Sequence, residues 1–534
     1  MPDLRCVLLV LSAWALVPLC AASAPSVSLR VVDRLDLPCE VSALSAVQDP
    51  ELGMAAGEQE SLAVLVSAAG PLRNARFRIT GLLPGVSCDI KAARAYRRKL
   101  RGNQEVTQPY LLEPAGAVTL EAGERAVYWL TFQADQAARP GRRRITLRLG
   151  GASVQVAIKV HPFRLRRDLS VFYGAFCGAR DAAITPQHMK DLHQRGFDAL
   201  QFFWGSVGMP VKNDSGRMVV DFTRVDQWMA DFQSTGMRGP VVWSLGNDSS
   251  SHMENMLSQA FGIPHPPRVE KAGKMMNFAD IHHPELNRRL KELMLAIKQH
   301  AAEKKWPEIV FIIYDEPTER LMEEHENRYK FIKSFWPELK IYGVTMDRIE
   351  WARAINHMVD ILVANGDFEA IRKLAEESGK PFWLYGSGSS RDEAGLRQSY
   401  AWRPWAHNAK SVWFWAYNYH AGDPYDDFDG SSADSSMSMV WPSKTPGAPF
   451  VYSVSWDGMR EAVDDMAYIQ TLEWMLGQSS APRSRQIAEQ LTALKRAIPS
   501  RNPKEFVTSS RKRLAAWITE LLDSEKSKFG EIRR

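Results

Sequence analysis

The sequence has little cysteine, no excess of charge of one sign and no apolar run long enough to span a membrane. Only 5 of its 534 residues are cysteines, and 67 basic residues are interspersed with 62 acidic ones. Such a balance argues against a nucleic-acid-binding protein. With 45% hydrophobic residues, the chain can bury a large core, which predicts a soluble globular protein of two or three domains.

The amino terminus has the features of a secretory signal. One arginine precedes an apolar run, Cys6–Leu19, which is followed by small residues and is shorter than the roughly 20 residues of a spanning helix. We expect residues 1–24 to be removed near Ala22 or Ala24, and the mature protein to be periplasmic or extracellular. A lipoprotein site at Cys20 is the weaker alternative, because Leu19 is not a small residue.

Three cysteines remain in the mature chain, Cys39, Cys88 and Cys177. Their odd number allows one disulfide at most. Cys39 and Cys88 either pair or stay as free thiols, and the sequence leaves both alternatives open. Cys177 has no neighbouring base and is interpreted as a small buried apolar residue.

Two short basic runs interrupt the balanced charge pattern, RAYRRKLR at 94–101 and RPGRRR at 139–144. Their simplest interpretation is solvated loops or strand edges. Contact with a polyanionic glycan is the alternative.

Residues 26–165 alternate with the period of a β-strand. In VQVAIKV (154–160) and AVYWLTF (126–132), every second residue is apolar or aromatic, and Gly and Pro turns separate these segments from ITLRL (145–149) and SLAVLV (61–66). This pattern predicts an N-terminal antiparallel β-sandwich.

Residues 168–478 change to short apolar strands that alternate with amphipathic helices. The predicted strands lie at 170–177, 197–204, 239–245, 309–317, 341–346, 360–365, 381–386 and 411–418. Eight such repeats predict a (β/α)₈ TIM barrel. A doubly wound open sheet is the alternative, but the first strand has no glycine-rich phosphate turn, and YGSGSS (385–390) lacks the lysine of a phosphate loop. Residues 479–534 are predicted to be a helical extension.

The carboxyl ends of the predicted strands carry the candidate site residues, because barrel enzymes assemble their active sites there. They are mostly aromatic, amide and carboxylate side chains, which suit sugar binding: Trp204, Trp243, Asp315, Glu316, Met346, Asp347, Asn365, Tyr385, Trp415, Tyr417 and Asn418. Each single aromatic residue could instead fill the barrel core.

The fourth predicted strand, IVFIIYDEP, ends in two adjacent carboxylates. Glycosidic hydrolysis usually needs two carboxyl groups, and the seventh strand supplies none before Asp392. Neighbouring residues on a regular strand point to opposite faces. Asp315 and Glu316 can therefore face one substrate only where the strand breaks, as Pro317 indicates.

Together with WFWAYN in the eighth strand and SVSWDGMREAVDDMAYIQTL at 453–472, the YDEP motif resembles the family-123 glycoside hydrolases. That resemblance implies a sandwich followed by a barrel, and an exo-acting β-N-acetylgalactosaminidase in which the substrate's own 2-acetamido group is the nucleophile. It also implies that Asp315 orients and polarises the acetamido N–H, while Glu316 protonates the leaving oxygen. Substrate assistance is the known exception to the two-carboxylate rule.

Strand-end position further suggests Tyr385 and Tyr417 as donors to the acetamido oxygen, and Trp415 and Trp243 as the sugar platform. By resemblance, Asp457, Arg460, Asp464 and Asp465 match the family's terminal helix. There they form either a structural ion-pair network or substrate contacts.

No metal or other cofactor is expected. The acidic loop DPYDDFDGSS (423–432) lacks the ligand spacing of a calcium loop, and His282 and His283 are adjacent rather than four residues apart. The expected partner is a carbohydrate with a terminal 2-acetamido sugar, without nucleic-acid binding or membrane insertion. A barrel of the same fold acting on another glycoside, and a glycan-binding protein without activity, are the two competing hypotheses.

Overall fold

The computed structural model describes most of the chain beyond the predicted signal. The described residues are 27–100, 104–168, 170–177, 184–202, 209–246, 251–267, 269–271, 274–317, 321–345, 348–366, 368–387, 392–420, 422–429, 438–444, 448–499, 503–525, 528–530 and 532. Within them, no helix combines the length and apolar character needed to cross a membrane.

The N-terminal region is a sandwich of two sheets, as its alternating sequence predicts. The larger sheet has seven strands, in the spatial order Val27–Val32, Gln59–Ala68, Arg125–Ala134, Val86–Leu100, Gln104–Pro114, Phe450–Ser453 and Val440–Pro442. The smaller sheet has four, in the order Glu51–Ala56, Ala152–Arg164, Gly141–Leu149 and Arg78–Thr80. Two short strands, Leu72–Ala75 and Val118–Leu120, pair separately. Apolar residues such as Val64, Leu130, Ile145 and Ile158 form the core between the sheets.

Two strands of the larger sheet come from the chain beyond the barrel. Tyr452 and Ser453 pair with Leu112 and Leu111 of the sandwich, and Val440–Pro442 pairs in turn with Phe450–Ser453. The division predicted from sequence, with 26–165 as sandwich and 168–478 as barrel, does not include this return, because strands of three or four residues carry too weak a pattern. We call these two segments the returning strands.

Eight parallel strands close into the barrel, which confirms the predicted TIM-barrel fold. Their order around the barrel follows the sequence: Phe172–Cys177, Phe197–Phe202, Val241–Ser244, Ile309–Ile312, Lys340–Thr345, Ile361–Ala364, Phe382–Ser387 and Ser411–Trp415. Two small hairpins, Val211–Asp214 with Arg217–Val220 and Val269–Lys271 with Lys274–Met276, accompany the barrel.

Large aromatic side chains fill the barrel interior. The rings of Trp383 and Trp413 stack with centroids 5.9 Å apart. Gly174 on the first strand makes room for them, since a Cβ atom at that position would lie 2.4 Å from the Trp413 ring. The interior is therefore a packed core, and the space for a substrate must lie at one end of it.

The helices cover the outside of the barrel and continue into the C-terminal extension. They are Pro186–Gln194, Thr223–Ser234, His252–Phe261, Pro284–Lys304, Met322–Phe335, Ile349–Ile355, Phe368–Glu377, Glu393–Arg397, Arg403–Ala406, Val454–Gln478, Pro482–Arg496 and Pro503–Ser524, with a π-helical turn at Gln398–Trp402. In the extension, Leu491, Leu514 and Ile518 are buried against the main core, which confirms the predicted helical tail. Cys39, Cys88 and Cys177 are all free thiols, and only Cys177 is buried.

Candidate active site

The fourth barrel strand ends before the two adjacent carboxylates. Its regular part is Ile309–Ile312, and Asp315 and Glu316 follow in a bend, where both are half-buried. The backbone of Glu316 has a φ of +44°, a left-handed conformation that costs a non-glycine residue roughly 1–2 kcal/mol. This turn removes the strict alternation of a strand, so that two consecutive side chains are free to approach one region.

Two tyrosines, the buried Tyr342 and the partly buried Tyr385, lie close enough to this pair for its charges to affect them. Burial raises the pKa of Tyr385 well above its usual range, and the charges of Asp315 and then Glu316 add to the rise. Burial likewise raises the pKa of Tyr342, and Asp315, Tyr385 and Glu316 add to the effect. Both phenols are therefore protonated at neutral pH and able to donate hydrogen bonds near the carboxylates.

Phe176, Tyr385 and Trp415 form an aromatic cluster in the barrel interior. The Phe176 ring lies 5.0 Å from the Tyr385 ring and 5.9 Å from that of Trp415, measured between centroids. Trp415 also contacts Tyr419, at 4.9 Å. Tyr385 and Trp415 are only partly buried and border the packed interior. The structure thus brings the predicted site residues Tyr385 and Trp415 together, and Tyr385 is also close enough to the carboxylate pair to be affected by its charges.

The structure contradicts the predicted role of Trp243 as a sugar platform. Its neighbour Val242 faces the barrel interior, so the Trp243 side chain points outwards. There it is fully buried and stacks on Phe311 with centroids 5.6 Å apart. Trp243 belongs to the core between the barrel and its helices.

Tyr417 also lies outside the barrel interior, which contradicts its predicted role as an acetamido donor. Its hydroxyl donates a hydrogen bond of 3.0 Å to Asp191 Oδ2, and Trp456 Nε1 donates to the same oxygen at 2.9 Å. Tyr417 is fully buried, and burial followed by the charge of Asp191 raises its pKa. Its hydroxyl group thus connects to the helix Val454–Gln478 through the shared carboxylate of Asp191.

The remaining predicted residues have different placements. Asn365 is half-buried and borders a cavity of about 60 Å³, which Tyr385, Tyr400 and Arg403 also line. Asn418 is buried, with 3% of its surface exposed. Trp204, Met346 and Asp347 lie outside the described residues.

Sequence reasoning missed Phe176 and Tyr342. Both occur inside predicted strands rather than at their ends, in SVFYGAFC and IYGVTM, so a search restricted to strand ends passes over them. Alternation alone does not reveal them, because the neighbouring positions of both strands are also apolar or aromatic.

A buried polar cluster packs beside the end of the fourth barrel strand. Arg328 forms an ion pair with Glu254 and donates a hydrogen bond to Asn287 Oδ1, and both charged residues are at most 5% exposed. Burial raises the pKa of Tyr314, Glu254 adds to the rise and Arg328 opposes it. The residue directly before Asp315 is therefore held beside a charged pair contributed by two helices.

The acidic and basic residues of the helix Val454–Gln478 form a buried ion-pair network between sandwich and barrel. Asp457 accepts hydrogen bonds from Ser61 Oγ at 2.6 Å and from Trp129 Nε1 at 2.8 Å, both in the sandwich. Arg460 lies 3.1 Å from Asp457 and 3.5 Å from Asp464. Of the two alternatives that the sequence left open, these contacts favour the structural one.

The described part of the acidic loop, residues 423–429, contacts the sandwich. Asp427 accepts hydrogen bonds from the Tyr96 hydroxyl at 2.9 Å and from the Lys99 amide at 3.1 Å. Across the described part of the chain, no group of three or more His, Cys, Asp or Glu side chains has an arrangement that could hold a metal ion.

A closed parallel barrel with paired carboxylates after its fourth strand, next to tyrosines and an aromatic cluster, is the arrangement of a (β/α)₈ glycoside hydrolase. The profile of the "Glycoside hydrolase 123, catalytic domain" matches residues 182–472, more than half of the chain. The chain belongs to glycoside hydrolase family 123.

One solved structure has the same fold over nearly its whole length. A family 123 glycoside hydrolase from Clostridium perfringens matches with a TM-score of 0.68 at 11% identity, covering 94% of this chain and 99% of that one. Weaker likenesses are found with a family 39 glycoside hydrolase from Bacteroides cellulosilyticus WH2 (TM-score 0.40, 12% identity, 78% and 81% covered) and a β-galactosidase from Halorubrum lacusprofundi (0.39, 10%, 56% and 58%). No curated protein matches the sequence.

Proposed function

We propose that this glycoside hydrolase is an exported exo-β-N-acetylgalactosaminidase that works by substrate assistance. The observation that carries the proposal is the pair Asp315–Glu316 after the fourth strand, with Glu316 in a left-handed turn. The seventh strand supplies no carboxylate before Asp392. A single pair of adjacent carboxylates suffices when the nucleophile belongs to the substrate.

In this mechanism the 2-acetamido oxygen attacks the anomeric carbon as the bond to the leaving oxygen breaks. Glu316, protonated, gives its proton to that oxygen, and Asp315, ionised, accepts a hydrogen bond from the acetamido N–H and stabilises the oxazolinium-like intermediate. Water then adds to the anomeric carbon as its bond to the acetamido oxygen breaks, which restores the acetamido group. The proton that water loses returns to Glu316, and the two displacements together retain the configuration. Two neighbouring carboxyl groups favour this division, since like charges raise one of the two pKa values.

Tyr385 is the donor that best fits the acetamido oxygen. It is protonated, it borders the barrel interior, and the charges of both carboxylates act on it. Trp415, which is partly buried, remains as the sugar platform, and the buried Phe176 packs beside it. Aromatic faces of this kind bind the apolar side of a pyranose ring.

A panel of aryl β-glycosides tests the substrate and the mechanism together. We expect turnover of the 2-acetamido galactoside, weaker turnover of the 2-acetamido glucoside, and none of the 2-hydroxyl sugars. A thiazoline analogue of the intermediate should inhibit strongly. Asp315→Asn should lower turnover on the order of 10²-fold or more, because charge stabilisation of the intermediate is lost.

Other outcomes assign other functions. Equal hydrolysis of 2-hydroxyl substrates, or a sugar trapped covalently on either carboxylate, would indicate a conventional double displacement on another glycoside. Binding of glycans without any turnover would indicate a non-catalytic protein. Export is tested separately by mass spectrometry of the secreted chain, and an intact Met1 would contradict it.

A further inference from the structure

The outward face of the smaller sandwich sheet is strongly basic. Along Gly141–Leu149, Ile145, Leu147 and Leu149 point into the sandwich core, so the residues between them point to solvent. The face carries five exposed cations on three strands, which we call the basic face: Arg78, Arg142, Arg144, Arg148 and Lys159.

The strand register places like charges opposite each other on this face. Arg148 is paired with Arg78 on one neighbouring strand, and Arg142 is paired with Lys159 on the other. Directly opposite side chains have Cβ atoms about 4.5–5.5 Å apart, and like charges in such positions destabilise a sheet. Because this arrangement lowers stability and occurs at two positions, we infer that these cations serve binding rather than folding.

Few carboxylates neutralise the basic face. Arg142 contacts Glu51 at 2.9 Å. Within the described residues, Arg78, Arg144, Arg148 and Lys159 have no carboxylate at ion-pair distance. The other side chains that point outwards are small or hydrogen-bonding groups: Thr80, Thr146, Ser153, Gln155 and Ala157.

We propose that the basic face binds an anionic polysaccharide through its sulfate or carboxylate groups. Arginine matches the planar, multidentate geometry of such anions. Outward residues recur about 6.5–7 Å apart along a strand, so the face presents a two-dimensional array of cations to a polymer of repeating charge. This site is in the sandwich and does not depend on which sugar the barrel cleaves.

Two other polyanions fit the face less well. Single-stranded nucleic acid is usually held by aromatic side chains that stack on its bases, and the outward residues of this face are not aromatic. A membrane surface is bound with apolar side chains that enter the lipid, and the face has no large apolar residue among those outward positions. A flat, hydrophilic, arginine-rich face suits a hydrated glycan.

Binding of chondroitin sulfate to the full-length mature chain tests the proposal. The measurements use the Glu316→Gln background, so that no probe is consumed, at several salt concentrations. We expect Arg144→Gln/Arg148→Gln to weaken binding about 10-fold at low salt and to make its salt dependence shallower. The matched control, Arg485→Gln/Arg496→Gln, removes the same charge from the exposed side of the helix Pro482–Arg496 and should bind like the parent.

A thermal scan shows that the loss does not come from unfolding. Because Arg148 faces Arg78, the double substitution should leave the melting temperature unchanged or raise it by about 1–2 °C. Hyaluronan, which has carboxylates but no sulfates, distinguishes the two anionic groups. Equal binding by all three proteins would overturn the proposal, as would tighter binding of phosphatidylserine vesicles or an oligonucleotide than of chondroitin sulfate.

Discussion

Arg397 donates two hydrogen bonds to Asp465, from Nε at 2.7 Å and from Nη2 at 2.8 Å, where both side chains are buried. The same carboxylate accepts from Trp402 Nε1 at 2.9 Å and from Arg511 Nε at 2.5 Å. A single carboxylate on the helix Val454–Gln478 thus joins the barrel's last helical segment to the C-terminal tail.

Asp465→Asn should therefore unfold the protein much more easily. Arg397 would keep only Glu393 among the described carboxylates, and Arg511 would keep Glu60 and Glu461, so one carboxylate charge would be removed from a buried network, a change that typically costs about 3–5 kcal/mol. Urea denaturation measures the change. Glu520→Gln, which breaks the exposed pair with Arg483 at 2.5 Å, should cost no more than about 1 kcal/mol, and equal losses in both variants would contradict this account of the network.

Tyr385 and Tyr417 form a matched pair for separating chemistry from stability. Tyr385→Phe should lower kcat/KM on the order of 10²-fold, because it removes a donor beside the carboxylates, with little change in unfolding free energy. Tyr417→Phe should cost about 1–2 kcal/mol, because Asp191 loses a buried hydrogen bond, while activity is retained. Loss of activity in Tyr417→Phe with activity retained in Tyr385→Phe would indicate that Tyr417 acts in the active site.

Glu316→Gln should affect substrates according to their leaving groups. A substrate that needs protonation should be turned over about 10²–10⁴-fold more slowly, and one with a highly activated aryl group should be much less affected. Steady-state kinetics across a series of aryl substrates measures this as a steeper dependence on leaving-group pKa. Asp315→Asn should slow all members of the series, and identical profiles for both variants would contradict the assigned roles.

The left-handed turn at Glu316 predicts an unusual order of stabilities. At φ +44° glycine avoids the steric cost of a Cβ atom, so Glu316→Gly should be about 1–2 kcal/mol more stable than Glu316→Ala. At Glu303, exposed in the helix Pro284–Lys304, the order should reverse, with glycine about 0.5–1 kcal/mol less stable. Urea titration of the four variants compares the two sites.

His325 predicts a loss of stability in acid. Burial lowers its pKa to about 4, and the charge of His357 adds to the effect. In the unfolded chain a histidine takes up its proton near pH 6.5, so the stability contributed by the neutral ring is lost as the pH falls from about 6.5 to 4, by up to roughly 3 kcal/mol. His325→Leu should flatten this part of the curve of unfolding free energy against pH, whereas substitution of the exposed His282 should leave it unchanged.

All eight barrel strands could be predicted from sequence, but not the direction of each side chain. A strand buried on both faces has apolar residues at every position, so nothing in GPVVWSL shows that Val242 faces inwards and Trp243 outwards. In the sandwich, where one face is polar, alternation does show the direction. The error at Trp243 has this origin. The error at Tyr417 has another, since the strand Ser411–Trp415 ends before it, and the alternation that turns Trp413 and Trp415 inwards does not continue. Asp315 and Glu316 could be placed at a strand end because charge cannot be buried without a partner.

The returning strands were not predictable for another reason. Phe450–Ser453 pairs with Gln104–Pro114, which is distant in sequence, and Val440–Pro442 pairs in turn with Phe450–Ser453. Both strands therefore depend on this long-range pairing and not on a local preference. The ion pairs of the helix Val454–Gln478 depend on the same long-range contacts. Both features form only where the two domains are in contact, so neither can be predicted from the local sequence.

The returning strands also determine the order in which the larger sheet can form during synthesis. As the chain emerges from the ribosome, the sandwich is synthesised first. Gln104–Pro114 can pair with Val86–Leu100 on one side, whereas Leu111 and Leu112 find their partners on the other side only when Phe450–Ser453 has been made. A nascent sheet with an open edge is prone to join other chains. Folding of the amino-terminal half is therefore completed only after the barrel has been synthesised, and the open strand edge is the part of the nascent chain most prone to aggregation.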